Sequence, residues 1–233
     1  MKSLFVSTVS HDLKTPLTSI KIIAELMQQK KDLSAVRLKE YVELIEGETD
    51  RLTRLINNVL NFSKIERGIK DYNFSTIYLN DIVRNTLWIM KYQLKSQNVT
   101  VKMSLLENEE PVQGDADALT EVIINLISNA VKYSLKRREI HIATWIEKEK
   151  AALSVQDFGI GIPAEKIESI FEPYYRVKSE RAERVSGIGL GLSIVKHILD
   201  AHHCRIAVKS VVGEGSTFTL YFPLESNEEQ RTL

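Results

Sequence analysis

The sequence predicts an α+β protein in which a long helical hairpin precedes an α/β sandwich with a mixed, mainly antiparallel sheet. In the first third of the chain, apolar residues recur at helical spacing. From Ser75 onward, short strand-like segments alternate with helical ones. The longer strand-like segments follow one another in hairpin-like succession, which favours an antiparallel sheet with helices on one face over a doubly wound one. We therefore expect a helical domain at 1–70, a linker at 71–74, an α/β domain at 75–225 and a polar tail at 226–233.

Composition narrows the class of protein. The chain has 233 residues, 43% of them hydrophobic, and 31 basic residues balance 31 acidic ones. A packed core is therefore possible, and nothing indicates a nucleic-acid-binding surface. The one cysteine, Cys204, excludes a disulfide framework within the chain and suits a reducing cytosol. No apolar run approaches the roughly 20 residues of a membrane helix, and no signal peptide is recognisable. We expect a cytoplasmic portion, with any anchor in the inner membrane supplied by a missing upstream region.

The hairpin is predicted from two helical patterns. The first covers residues 3–28, and the second runs from Leu38 to Ile65 and stops at Gly68. Such a hairpin leaves apolar stripes that a homodimer could bury in a four-helix bundle through residues 1–70. An ordinary helical subdomain packed on the rest of the chain is the alternative. The second helix carries two heptad series, Leu38, Ile45, Leu52 and Val59, and Tyr41, Glu48, Leu55 and Phe62.

The first helix carries a histidine with polar neighbours. Thr15 lies one turn after His11 on the same face, and Asp12 is close enough to reach the imidazole from the side. Pro16 lacks an N–H and clashes with the carbonyl of Asp12, so we expect a bend at this pair. If Asp12 accepts the Nδ1 proton, Nε2 of His11 becomes the better nucleophile. From these residues alone, an ordinary surface histidine is the alternative.

The elements of the α/β domain follow in order along the chain. The predicted strands are Thr76–Leu79, Thr100–Leu105, Val112–Gln113, Glu139–Glu147, Ala152–Gln156, Arg205–Ser210 and Ser216–Phe222. The predicted helices are Asn80–Gln97, Asp117–Ser134, Ala164–Phe171 and Leu190–Ala201.

Amide side chains interrupt one of these helices. Asn125 and Asn129 are four residues apart, and Lys132 and Tyr133 follow on the next turn. An amide oxygen is a hard ligand suited to Mg²⁺, and Lys132 can neutralise phosphate. The alternative is that the two amides cap or brace neighbouring elements.

Two glycine-containing segments complete the candidate site. Asp157 ends a strand, and Gly159 and Gly161 let backbone approach a flat ligand, with the carboxylate accepting from an exocyclic amine as in adenine. The second segment, from Gly187 to Gly191, precedes a helix whose start could hold phosphate, although it lacks the dinucleotide and P-loop patterns.

A polar segment, Glu172–Ser186, precedes the second glycine run and is predicted to be a mobile lid. Phe171, Tyr174 and Tyr175 lie at its root, and Arg176 could reach a γ-phosphate. Further along, the segment from Gly213 to Phe218 is predicted to be mainly a glycine turn between two strands.

In this order and spacing, the segments resemble the transmitter core of bacterial sensor histidine kinases. The resemblance rests on the box Ser10-His11-Asp12-Leu13-Lys14-Thr15-Pro16 and on the downstream asparagine and glycine boxes. It implies ATP-dependent phosphorylation of His11, transfer to an aspartate of a response-regulator receiver domain, and a homodimer. It also implies that Asp12 is the base and that Thr15 positions water for dephosphorylation of the regulator. The implied ATP and Mg²⁺ site comprises Asn125, Asn129 (the Mg²⁺ ligand), Lys132, Tyr133, Asp157, Gly159, Gly161, Tyr175, Arg176, Gly187, Gly189, Leu190, Gly191 and Thr217.

Two other functions are considered beside this resemblance, and the chain differs from the family pattern at one place. A phosphatase-dominant or ATP-binding scaffold regulator with weak kinase activity is the main rival. An ATPase of the gyrase, mismatch-repair or chaperone type shares the nucleotide boxes but lacks the box around His11. The departure is His202-His203-Cys204, where the family usually has His-Gly-Gly. We expect a changed turn there with activity kept, because three adjacent side chains cannot all converge on a metal without strain.

Overall fold

The chain is described by a computed structural model and divides into two compact units. The first contains the hairpin together with Gly189 and Leu190, and the second contains the other described residues from Asp71 onward. Among the described residues, no helix combines the length and apolar character needed to cross a membrane. The described residues are 2–29, 33–67, 71–134, 137–177 and 189–224.

The first unit is a helical hairpin, as predicted. Helix α1 spans Lys2–Gln29 and packs against helix α2, Ala35–Glu66. Ser34 caps α2, because its side chain accepts a hydrogen bond from the Arg37 N–H at 3.3 Å. Helix α1 continues through Pro16 without interruption, and the bend expected there stays a prediction. Gly68, the predicted stop, lies outside the described residues.

The hairpin buries only part of its apolar surface. Leu55 and Phe62 of the second heptad series are 8% and 7% exposed. Leu38, which opens the first series, is 44% exposed. The two helices therefore present apolar side chains to solvent in a single copy of the chain. The exposed set on both helices includes Leu17, Ile22, Val42, Leu44, Ile56 and Leu60.

The second unit is an α/β domain. Its strands are β1 Ser75–Ile77, β2 Thr100–Ser104, β3 Val112–Gly114, β4 Glu139–Glu147, β5 Lys150–Asp157, β6 Arg205–Val211 and β7 Gly215–Pro223, and its helices are α3 Leu79–Ser96, α4 Ala116–Tyr133 and α5 Gly191–Ala201. Five of the strands form a sheet in the order β2-β4-β5-β7-β6, and β1 and β3 form a separate antiparallel pair. Among the described strands only β2 and β4 pair in parallel, so the predicted mixed, mainly antiparallel sheet is confirmed.

Helix α4 is central to this domain, because it packs on α3, α5 and the sheet. Its core positions are apolar and fully buried, as Leu119, Leu126 and Ile127 show with exposures of 1% or less. Alternate residues of β4, such as Ile140 and Ile142, are buried in the same domain. The apolar face fixes the rotation of α4, and Asn129 is left only partly buried.

One predicted helix is wrong. The segment from Ala164 to Phe171 forms two short 3₁₀ turns, Ala164–Lys166 and Ser169–Phe171, instead of an α-helix. Pro173 follows Glu172, whose ψ of 137° is extended, as expected for a residue before proline. So short a segment gains little from α-helical hydrogen bonds before it is stopped.

At His202-His203-Cys204, helix α5 ends with the backbone conformation that a glycine would adopt there. His203 takes a φ of +52°, the left-handed conformation that glycine favours. The Cys204 N–H donates to the Leu199 carbonyl at 2.8 Å, which closes the end of α5. A histidine thus takes the conformation that a glycine takes in the family pattern, and the hydrogen bond that closes such a helix end is still made.

Candidate functional site

A cavity lies in the second unit, beside α4 and the end of β5. Most of its wall is apolar, and a few polar groups are placed among the apolar ones. The lining residues are Asn129, Tyr133, Asp157, Ile160, Gly161, Ile162, Ile170, Tyr175, Arg176, Val177, Leu192, Ser216 and Phe218.

Asp157 provides a buried carboxylate in this wall and is only 6% exposed. Burial raises the pKa of Asp157, and hydrogen bonds from the backbone N–H groups of Gly159 and Ser216 oppose the rise. The Gly159 N–H donates to Oδ1 at 2.8 Å. These two donors fix the orientation of the carboxyl group and leave lone pairs available for a ligand.

The backbone around Asp157 approaches its neighbours more closely than a side chain would allow. Gly161 has a φ of +67°, and a Cβ built on it would lie 2.1 Å from the Val211 carbonyl oxygen. Gly215, with a φ of +117°, would place a Cβ 2.1 Å from the Asp157 carbonyl oxygen. The predicted glycine turn between β6 and β7 is therefore also packed against the loop that carries Asp157.

The two asparagines of α4 have different surroundings. Asn129 lines the cavity. Asn125 does not: its Nδ2 donates to the Glu121 carbonyl at 2.9 Å, and its Oδ1 would lie 2.9 Å from a Cβ on Gly191. Lys132 is exposed and outside the lining. Asn125 thus packs against the start of α5, while Asn129 lines the cavity.

Aromatic and basic residues close another side of the cavity. Tyr133 and Tyr175 both line it, next to Arg176. Burial raises the pKa of the Tyr133 hydroxyl, and the positive charge of Arg176 lowers it, so the two groups lie close enough to interact. A cation at the edge of an apolar pocket is suited to an anionic group such as phosphate.

The second glycine run is only partly described. Gly189 has a φ of +79°, Leu190 is 2% exposed, and Gly191 begins α5. Gly187 and the greater part of the predicted lid, residues 178–186, lie outside the described residues. Leu192, in the first turn of α5, lines the cavity.

The sequence pattern missed most of the apolar lining. Thr217 was expected at the site, but its neighbours Ser216 and Phe218 line the cavity instead. Successive side chains of a strand point to opposite faces, so these two neighbours share one face of β7 and Thr217 lies on the other. That alternation was readable from the sequence. The sequence did not show that Ile160, Ile162 and Ile170 line the cavity, since an isoleucine in a loop looks the same as an ordinary core residue.

The predicted phosphoacceptor box lies in the first unit. Its backbone is helical, with Thr15 exposed and Pro16 buried. The Thr18 hydroxyl donates to the Lys14 carbonyl at 2.8 Å on the next turn. The side chains of His11 and Asp12 lie outside the described part of the chain.

Comparison with known proteins matches both units. Residues 1–68 match the His Kinase A (phospho-acceptor) domain. Residues 114–226 match the histidine kinase-, DNA gyrase B- and HSP90-like ATPase family.

Individual proteins are similar over nearly the whole chain. Sensor histidine kinase WalK of Bacillus subtilis (strain 168) is 34% identical over 232 residues, which cover 97% of this chain and 37% of WalK. The chain therefore spans little more than a third of that relative's length. The structure of Acinetobacter baumannii histidine kinase AdeS superimposes with a TM-score of 0.67 at 22% identity, covering 93% of this chain and 98% of AdeS.

A third similar structure is a complex. It contains histidine kinase ThkA with response regulator protein TrrA, and it matches with a TM-score of 0.64 at 25% identity, covering 94% of this chain and 60% of the matched chain. The phosphoacceptor match and the ATPase match cover successive parts of the chain, and the similarity to WalK extends over both. The chain therefore belongs to the sensor histidine kinase family and represents its transmitter core, a phosphoacceptor domain followed by an ATP-binding domain.

Proposed function

We propose that the chain transfers the γ-phosphoryl group of ATP to His11 and then to an aspartate on the receiver domain of a response regulator. The observation that carries this proposal is the cavity of the second unit. There, a buried carboxylate, an amide and a cation border one apolar space, in a chain that also contains a phosphoacceptor domain.

The cavity suits a purine nucleotide. The Asp157 carboxylate, oriented by two backbone N–H donors, would accept from the exocyclic amine of adenine. Ile160, Ile162 and Phe218 would cover the faces of the base. Guanine presents a carbonyl at the position of that amine, and two acceptors repel, so ATP should be preferred over GTP.

Phosphate and metal would lie toward Asn129 and Arg176. The amide oxygen of Asn129 fits Mg²⁺, which takes hard oxygen ligands and keeps several waters. When bound, Mg²⁺ supplies charge neutralisation to the phosphate oxygens. Arg176 and Lys132 would add positive charge, and Gly189 and Gly191 would let the lid segment close over the nucleotide.

The reacting histidine belongs to the other unit, so transfer requires the two units to dock. Nε2 of His11 would form a bond to the γ-phosphorus as the bond from that phosphorus to the leaving oxygen of ADP breaks. Asp12 would accept the Nδ1 proton, and Thr15 would position the water that hydrolyses the phosphorylated regulator. Most of the rate enhancement would come from positioning and charge neutralisation.

The proposed assembly is a homodimer through residues 1–70. The exposed apolar residues of the two helices, among them Leu17, Leu44 and Leu60, support it, because a four-helix bundle would cover such stripes. A response regulator as partner is supported by the similar complex of ThkA with TrrA.

The direct test is incubation with γ-labelled ATP and Mg²⁺. The protein should acquire label that is lost in acid and kept in alkali, as a phosphoramidate requires, and His11→Ala should acquire none. Asp157→Asn should bind ATP much more weakly while folding normally. Acid-stable label, or label that survives in His11→Ala, would refute the proposal.

A second test separates kinase from phosphatase activity and addresses the phosphatase-dominant alternative. Thr15→Ala should keep autophosphorylation and lose dephosphorylation of the regulator. Equal loss of both activities would show that Thr15 has no separate role.

A further inference from the structure

Ser210 lies outside the lining of the nucleotide cavity, yet its hydroxyl connects three segments that build the wall. The residue is on β6, one position before Val211 ends the strand. The Ile162 N–H donates to Ser210 Oγ at 2.7 Å across 48 positions of sequence. The hydroxyl in turn donates to the Gly215 carbonyl at 2.9 Å.

The hydrogen-bonding capacity of this hydroxyl is fully used. A serine hydroxyl has one donor and two acceptor positions. The donor goes to Gly215, one acceptor position takes the Ile162 N–H, and Ser216 Oγ lies 2.9 Å away at the second. Since the only hydroxyl hydrogen of Ser210 is committed to Gly215, the Ser216 hydroxyl is the donor in that last contact.

The segments joined in this way are parts of the cavity wall. Ile162 and Ser216 line the cavity directly. A second link runs alongside, because the Gly213 N–H donates to the Ile160 carbonyl at 2.8 Å. Gly161, between the two linked isoleucines, rests against the Val211 carbonyl with no room for a side chain.

We propose that Ser210 is a positioning residue that holds the loop from Asp157 to Ile162 against the β6–β7 turn and so keeps the adenine pocket in its binding geometry. This inference rests on the proposed nucleotide-binding function and deepens it. Ser216 donates its N–H to the Asp157 carboxylate and its hydroxyl to Ser210. Gly159, the other donor to that carboxylate, belongs to the loop that Ser210 holds through Ile162. Loss of the Ser210 hydroxyl would therefore disturb both donors to the adenine-binding carboxylate.

The test compares Ser210→Ala with Ser210→Thr, which keeps a hydroxyl on a strand. The matched control is Ser104→Ala, because Ser104 is an exposed serine on the edge strand β2 of the same sheet. Calorimetry with Mg-ATP should give a Kd raised roughly tenfold in Ser210→Ala, the scale of one lost hydrogen bond at a partly buried group. Ser210→Thr should recover most of the affinity, and Ser104→Ala should match the wild type.

A positioning role also predicts effects that a purely structural role would not produce. In Ser210→Ala, autophosphorylation should show a raised KM for ATP with kcat at saturation reduced by less than threefold. The preference for ATP over GTP should narrow, because the carboxylate that distinguishes the bases is less well held. The hydrogen bond itself is checked separately, because in the wild type the Ile162 amide should be protected from hydrogen exchange, a measurement that does not depend on a variant folding.

The outcomes distinguish the possible failures. A wild-type protein that binds no ATP overturns the proposed function and this inference with it. A wild type that binds ATP while Ser210→Ala binds within twofold of it overturns the inference alone. The inference alone is also overturned if Ser210→Ala lowers the affinities for ATP and GTP by the same factor, or if the Ile162 amide exchanges as fast as an exposed amide.

Discussion

His202 joins the end of α5 to the start of α4, and its removal should destabilise the ATP-binding domain strongly. The ring is 3% exposed. Its Nε2 accepts from the Asp115 N–H at 3.0 Å, so the proton is on Nδ1, which donates to the Ile198 carbonyl at 2.7 Å. The ring also packs against Tyr72 and Phe74, with centroid separations of 5.2 and 4.7 Å.

The expected magnitude follows from these contacts. His202→Ala leaves the Asp115 N–H without its acceptor, at a cost of about 1–3 kcal/mol. The lost aromatic contacts add about 0.5–1.5 kcal/mol, and the space left by the ring adds a cavity term. The Asp115 side chain caps α4 and accepts from the Asn73 N–H at 2.8 Å, so the disturbance reaches the linker. We expect the free energy of unfolding to fall by about 3–5 kcal/mol.

Tryptophan fluorescence during urea unfolding is the suitable assay. The chain has 2 tryptophans, Trp88 and Trp145, and both belong to the second unit, so the signal reports that unit. His203→Ala is the matched control, because the neighbouring histidine is exposed and alanine keeps the same Cβ at the positive φ, so stability should change by about 0.5 kcal/mol or less. If the two variants unfold within about 1 kcal/mol of each other, the assigned role of His202 is refuted.

Three further predictions concern single residues of the same domain. Thr86→Val should raise the free energy of unfolding by about 1 kcal/mol, because Thr86 Oγ1 is buried without a hydrogen-bond partner among the described residues; a loss of stability in urea unfolding would contradict this. His203→Gly should stabilise by about 0.5–1 kcal/mol in the same assay, since glycine takes a positive φ without strain, and an unchanged midpoint would argue otherwise. For Asp157, burial raises the pKa, and the ionised carboxylate is a stronger acceptor for the amine of adenine than the protonated acid is. ATP affinity measured from pH 8 downward should therefore begin to fall above the usual aspartate range, whereas Asp157→Asn should show weak binding without that titration.

Local pattern was sufficient to predict most elements. The heptad series from Leu38 to Phe62 predicted a helix that the structure extends to Ala35–Glu66, and the predicted strand Glu139–Glu147 coincides with β4. Where the pattern was short and ended before a proline, as in Ala164–Phe171, it was misleading, because periodicity alone does not distinguish an α-helical turn from a 3₁₀ turn.

The sequence by itself determined the order of the motifs and the chemistry of the polar groups, since an aspartate before spaced glycines and paired asparagines on one helix are local features. Only the tertiary structure decided which of those groups share a cavity. It placed Asn129 in the cavity wall and Asn125 outside it, and it joined Ser210 to Ile162 across 48 positions of sequence. Contacts of that separation depend on how the strands pair and how α4 is rotated by its apolar face, and no local pattern encodes them.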